Sequence, residues 1–326
     1  MTLAPGITAL AEQLRKSRAF AAKRAIATIA GQLNLNDVSA AAVGDDCAAI
    51  PDGDGYLLFA IEGFMSEFVA SDPWFAGWCG IMVNLADVAA MGGRPVAVVD
   101  CVQASAEHEV DPILVGMKAA SETFGVPIVG GHTCTSGDDR QLSVAILGRA
   151  QKLLTSFDAE PGDHLVIAID LRGRYREPHS NWEAATDAPP QRLRACFNLL
   201  PKIAELGLSK AAKDISQAGI IGTSMMLAEC SGVGMTLELE KIPKPRGIAL
   251  DRWLQTFPSF GFILSVPPKN VAQVLSLFES QGVSAADAGV VTATRRVEIV
   301  EHENREIVWD FDRTPLLGLG PGEATP

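Results

Sequence analysis

The segment running from Asp72-Pro73 to Gly92-Gly93 constrains the fold most. Aspartate supplies a helix cap, proline suits the first turn, and paired glycines stop the helix. Between them lie Ile81, Met82, Val83, Leu85, Val88, Ala89, Ala90 and Met91, with Asn84 and Asp87 three positions apart on one side. So few polar residues argue against a solvated stripe. A lone carboxylate in such a helix is costly to bury without a cation or hydrogen-bond donors. Asp87 is therefore the strongest candidate for chemistry in the chain.

Strands and helices mix on both sides of this helix. The sequence predicts strands over 56–61, 95–102, 126–129 and 141–149, and helices over 8–31 and 112–124. Glu160-Pro161-Gly162-Asp163 is a turn signal. After it the mixture resumes: strands over 164–169, 235–239, 260–266, 288–293 and 297–301, and helices over 193–206, 218–230 and 271–281. This predicts an α/β (α+β) protein with a first domain over 1–155, a second over 156–318, and a disordered tail over 319–326. Residues 173–190, rich in proline, arginine and polar side chains, read as a surface excursion.

Composition narrows the function. With 326 residues, 48% of them hydrophobic, the chain can bury a large core, and its net charge of -12 argues against a nucleic-acid binder. An acidic site can still take ATP where Mg²⁺ screens the phosphates. Six cysteines without a Cys-x-x-Cys pair read as mostly buried thiols. No secretion signal is recognisable over 1–14 and no apolar run reaches the roughly 18 residues of a membrane span, so the expected location is cytoplasmic with no membrane partner.

Further acids stand at glycine-bearing junctions. Gly44-Asp45-Asp46 puts one carboxylate on each side of an extended chain; one binds metal while the other caps a turn, or both are a surface turn. Glu62 follows an apolar strand, at the end where ligands meet sheets. Gly130-Gly131-His132-Thr133 reads as a strand end whose amides can approach phosphate, with His132 a phosphate donor, a metal ligand or merely exposed. Asp214 and Ser216 precede a predicted helix, where Ser216 or Gln217 caps it or the helix N-terminus attracts phosphate. The basic run 15–24 is a solvated helix face or a flap over polyphosphate. No Gly-x-x-x-x-Gly-Lys-Ser/Thr motif is present, which excludes a P-loop.

In this order the motifs resemble the superfamily of aminoimidazole ribonucleotide (AIR) synthase, thiamine-monophosphate kinase, selenophosphate synthetase and the hydrogenase-maturation dehydratase. The matching stretches are Gly44-Asp45-Asp46-Cys47-Ala48, residues 83–92, Val129-Gly130-Gly131-His132-Thr133, Pro161-Gly162-Asp163 and Lys213-Asp214-Ile215-Ser216. The resemblance implies two α/β domains and a homodimer whose N-terminal sheets pair into an intersubunit β-barrel. It implies ATP and Mg²⁺ as cofactors. Metal carboxylates map onto Asp46, Glu62, Asp87 and Asp214, phosphate contacts onto Gly130 and Gly131, and a nucleotide contact onto Ser216. Gly44, Asp45 and Asn84 fall in the same nucleotide-binding stretches, and Asp46, Asp87, His132 and Asp214 are the residues expected to carry catalysis.

The departures are specific. Thiamine-monophosphate kinases carry aspartate at the positions of Glu62, His132 and Gln217, and the chain lacks the reactive cysteines of the selenophosphate and hydrogenase members. The AIR synthase-related group remains. The expected activity is ATP-dependent phosphoryl transfer to an oxygen of a small-molecule substrate. The alternative is a nucleotide-binding regulatory or assembly protein without turnover.

Overall fold

The computed structural model of the protein describes residues 6–17, 20, 26, 32, 39–137 and 139–320. The chain divides into two compact units. One comprises Asp46–Leu153 together with Ala188–Lys202. The other comprises Leu154–Asp187, Ile203–Pro326 and the described residues up to Asp45. A single cut at 155 therefore misplaces two segments. Helix α1 (Ile7–Arg15) belongs with the second unit because its buried stripe Ile7, Leu10, Ala11 and Leu14 joins that unit's core. It ends at Arg15 with Lys16 as its C-cap, so the predicted helix over 8–31 is interrupted there; Phe20 and Ile26 are again helical, while the rest of 18–31, including Arg18, Lys23 and Arg24 of the basic run, lies outside the described residues.

The first unit is a five-stranded sheet in the order β1-β2-β5-β3-β4: β1 (Ala48–Asp52), β2 (Gly55–Phe64), β3 (Arg94–Gln103), β4 (Ile128–Cys134) and β5 (Gln141–Ala150). Neighbours run antiparallel except β3 and β4, which are parallel. Helices α2 (Ser66–Ser71), α3 (Pro73–Ala90) and α4 (Glu107–Phe124) join it. Asp72 caps α3 by accepting from the Phe75 amide at 3.3 Å, and Gly92 closes it at φ +76°, as the sequence predicts. α3 packs on one sheet face over Leu58, Leu142, Val144 and Ile146, all fully buried or nearly so. On its other side it meets α4. A Cβ at Gly116 would stand 1.9 Å from the Trp74 carbonyl oxygen, and one at Gly77 would stand 2.0 Å from that of Ile113, so the two backbones touch only because both positions are glycine. With polar groups at just Asn84 and Asp87, a helix covered on both sides has little need of more.

The opposite sheet face is apolar and uncovered in the single chain. Ile50, Phe59, Ile61, Val99 and Val129 are all exposed, Ile61 by 67%.

The predicted helix over 193–206 is two helices, α5 (Pro190–Phe197) and α6 (Leu199–Glu205). Pro201 lacks an amide hydrogen and fits a first turn, so the chain restarts at Leu199 after Asn198. Arg194 on α5 donates to the carbonyls of Glu122 at 2.7 Å and Thr123 at 2.8 Å, satisfying the C-terminal end of α4.

The second unit is built on a seven-stranded sheet. Its strands in chain order are β6 (His164–Ile169), β9 (Ala211–Asp214), β10 (Gly234–Glu238), β12 (Gly261–Val266), β13 (Ser284–Thr292), β14 (Arg296–Glu301) and β15 (Asn304–Asp310). Spatially they lie in the order β15-β14-β10-β13-β6-β12-β9, and α7 (Gly219–Ser231), α8 (Leu250–Trp253) and α9 (Val271–Ser280) accompany them. A small sheet β11-β8-β7 joins β7 (Arg174–Tyr175), β8 (Asn181–Glu183) and β11 (Phe257–Pro258). Residues 173–190 are therefore not simply a surface excursion. Trp182 is buried there, edge-on to Trp253 with centroids 5.3 Å apart. Leu319, expected in the tail, packs against the core, while 321–326 lie outside the described residues.

Candidate metal and nucleotide site

In the first unit, Asp46 and Asp87 come together: one carboxylate oxygen of each lies within 4.8 Å of the other. Asp46 arrives from the turn before β1, and Asp87 from the buried middle of α3. Asn84, one helical turn from Asp87, is fully buried; its amide nitrogen donates to the Gly80 carbonyl at 2.8 Å. Its Oδ1 is buried with no hydrogen-bond partner among the described residues. Two carboxylates and a buried amide oxygen are all hard oxygen donors, the set that suits Mg²⁺ rather than a soft transition metal.

Glu62 points to the same sheet face as this group, since it pairs with buried Val144, but it stands outside the carboxylate cluster. The two aspartates of Asp45-Asp46 divide their work. Asp45 belongs to the second unit, where Ser156 donates to it from its amide at 3.0 Å and from its hydroxyl at 2.7 Å. Asp45 is thus the turn-fixing member and Asp46 the member that meets Asp87. Gly44 makes the turn at φ +114°, against Leu319, Cys230 and Phe157.

The glycine pair is not a strand end. Gly130 and Gly131 lie within β4, which gains a parallel partner in β3 and continues to Cys134. Asp100 on β3 pairs with Gly131, and its carboxylate fills the space a Cβ would need. Burial raises the Asp100 pKa, partly offset by a hydrogen bond from its own backbone. His132 pairs with Cys101, which pairs with Ser143. This row alternates with buried Val102 and Leu142, so His132 sits on the uncovered face, opposite α3.

In the second unit Asp214 ends β9, buried beside Phe262 of β12. Ser216 is half-buried, and its carbonyl accepts the Gly219 amide at 2.8 Å. α7 begins at Gly219 with no side-chain cap, so neither Ser216 nor Gln217 caps it; the tight turn satisfies the chain there instead. Sequence reasoning missed Ser156 and Asp100. Ser156 partners an aspartate 111 residues away, and nothing local marks it. Asp100 carries a signal only once the β3–β4 register is known.

Residues 44–150 match the family described as AIR synthase related protein, N-terminal domain, and residues 171–302 match the corresponding C-terminal domain. The chain belongs to the AIR synthase related family. An uncharacterized protein of Synechocystis sp. is 44% identical over 90% of this chain and 92% of its own length. The thiamine-monophosphate kinase of Pyrococcus horikoshii is 26% identical, over 85% of this chain and 90% of that one. Among solved structures, T. maritima PurL complexed with ATP superposes with a TM-score of 0.71 at 20% identity, over 85% of this chain. This chain spans about half of PurL, 47% of its length, and the likeness speaks for the fold. Both family domains are present, so the two-domain α/β expectation holds. No helix among the described residues is long and apolar enough to cross a membrane.

Proposed function

We propose that this AIR synthase related protein is an Mg²⁺-dependent enzyme that uses ATP to phosphorylate an oxygen of a small-molecule substrate. The observation that carries the reading is the approach of Asp46 to Asp87 inside the first unit, beside the unsatisfied Asn84 oxygen. Asp46 and Asp87 would hold the ion, and the family resemblance adds Glu62 and Asp214 as metal carboxylates and Gly130, Gly131 and Ser216 as nucleotide contacts. Mg²⁺, when bound, screens the polyphosphate charge. The chain's own part is positioning: phosphoryl transfer needs aligned groups and charge compensation more than covalent catalysis. In this reading Asp45 fixes the turn that presents Asp46, and His132 lies outside its own chain's ion site. The ATP named with PurL and the kinase relative support the choice of nucleotide.

Titration calorimetry of ATP with and without Mg²⁺ tests binding, and ADP release across a panel of small amides, amines and phosphorylated sugars tests turnover. Asp87→Asn is expected to weaken Mg-ATP binding at least about tenfold, a loss of about 1.4 kcal/mol, with the thermal midpoint little changed. Unfolding of that variant, together with metal-independent wild type, refutes the reading. Binding without ADP release under every condition favours a nucleotide-binding regulatory protein instead.

We also propose a homodimer formed through the uncovered apolar face, the intersubunit barrel that the family resemblance implies. Exposed patches beyond a few hundred Å² mark interfaces, and Ile50, Phe59, Ile61 and Val99 share one face here. Phe59→Asp with Ile61→Asp is expected to give a monomer by sedimentation; a wild-type monomer at micromolar concentration rejects the interface.

A further inference from the structure

A cavity of about 500 Å³ opens in the second unit, lined by none of the residues proposed for the ion and the nucleotide. Arg15, Arg296 and Arg313 line it, with Asp310, Ile307 and Trp309. Three guanidinium groups face one carboxylate, a local charge of +2 (three minus one) in a chain whose net charge is -12. Asp310 is shared: its Oδ2 meets Arg296 Nε at 3.1 Å and Arg313 Nε at 3.5 Å. Arg15 has its Nη1 on the Ile307 carbonyl at 2.6 Å. Each guanidinium has five N–H donors in a planar fork, so most donors remain for a further acceptor.

The cavity is also built rather than incidental. The amides of Arg313 and Thr314 both donate to the Asp310 carbonyl at 3.1 Å, which holds Arg313 in a closed turn. The Trp309 indole is fixed by its bond to the Thr314 carbonyl at 2.8 Å. Arg15 is brought in by α1, whose apolar stripe anchors it to the same core. Three guanidiniums around one carboxylate leave a net positive potential that an anion would complement. The volume matches a small-molecule ligand and is far more than a single ion needs.

We propose that this cavity is a second ligand site, which takes a phosphate monoester with its dianionic group among Arg15, Arg296 and Arg313 and its body over Ile307 and Trp309. Planar guanidinium forks match phosphate oxygens in pairs, whereas a neutral ligand would leave the charge uncompensated. The site needs neither Mg²⁺ nor ATP and stands or falls apart from the proposed activity.

The test uses the full chain in EDTA without nucleotide. Glycerol 3-phosphate, inorganic phosphate and glycerol are titrated by calorimetry, with tryptophan fluorescence as a second readout. Saturable binding of glycerol 3-phosphate, one per chain, is expected, with weaker binding of inorganic phosphate and none of glycerol. Arg15→Gln with Arg313→Gln leaves the Arg296–Asp310 pair intact, so the fold is kept; it should weaken binding at least about tenfold at an unchanged melting temperature. Asp87→Asn should leave it unchanged. No saturable binding, equal binding by the arginine double variant, or loss in Asp87→Asn instead overturns the proposal. Equal affinity for inorganic phosphate and glycerol 3-phosphate overturns the monoester assignment.

Discussion

Glu229 offers the most quantitative prediction. It lies on α7, fully buried, and its carboxylate gathers three consecutive backbone amides. Oε1 accepts from Leu316 at 2.7 Å and Gly318 at 3.3 Å, and Oε2 accepts from Leu317 at 2.6 Å. Glu229→Gln keeps one oxygen but turns the other position into an NH₂ facing the Leu317 amide. One hydrogen bond to a charged group is lost, worth about 1.5–3 kcal/mol, and a buried donor is left unsatisfied, costing about 1–3 kcal/mol. These overlap, so a net loss of about 3 kcal/mol is expected, felt first in 316–318 because three amides of that segment bond to this one carboxylate. Amide hydrogen exchange reads it directly. Protection at Leu316 and Leu317 should fall by about a hundredfold. Urea unfolding followed by tryptophan fluorescence should show a lowered midpoint at unchanged slope. Protection at both amides within about threefold of wild type would refute the reasoning.

Two further outcomes follow from other contacts. Gly116→Ala should destabilise the first unit by at least about 1–3 kcal/mol in urea unfolding, because its Cβ would meet the Trp74 carbonyl and force α3 and α4 apart; a neutral effect contradicts the packing. Arg140 and Ser105, hydrogen-bonded to Glu109 at 2.6 Å and 2.7 Å, hold its carboxyl down to about 2 from 4.5. A depressed carboxylate pKa contributes stability above the unfolded value, lost as pH falls from about 4.5 toward 2. The melting-temperature gap between wild type and Arg140→Gln should therefore be constant above that window and close within it.

What the sequence made legible was local. The limits of α3 were readable because Asp72, Pro73 and Gly92 act on their neighbours, and Asp87 stood out against a helix with almost no other polar group. The long-range facts were not. β9 is a short strand whose identity depends on a partner, β12, far along the chain. The Gly130-Gly131 segment reads as a stop by composition, yet an edge strand beside β3 tolerates it. His132 fell on the uncovered face because a pleat's parity is set by register, which no local pattern reveals. Asp45 and Asp46 are equivalent neighbours in sequence; Ser156 and Asp87, both far along the chain, distinguish them.

The backbone passes from one unit to the other after Asp45, Leu153, Asp187 and Lys202. Neither half can thus be excised with a single pair of scissors. Expressing 1–155 alone would strand the α4 terminus without Arg194 and carry along a first helix whose apolar side has lost its home. Gene fragments cut at the family-domain borders are therefore poor modules for swapping between members, whereas insertions at exposed turns such as Gly53 leave both halves of the interwoven path whole.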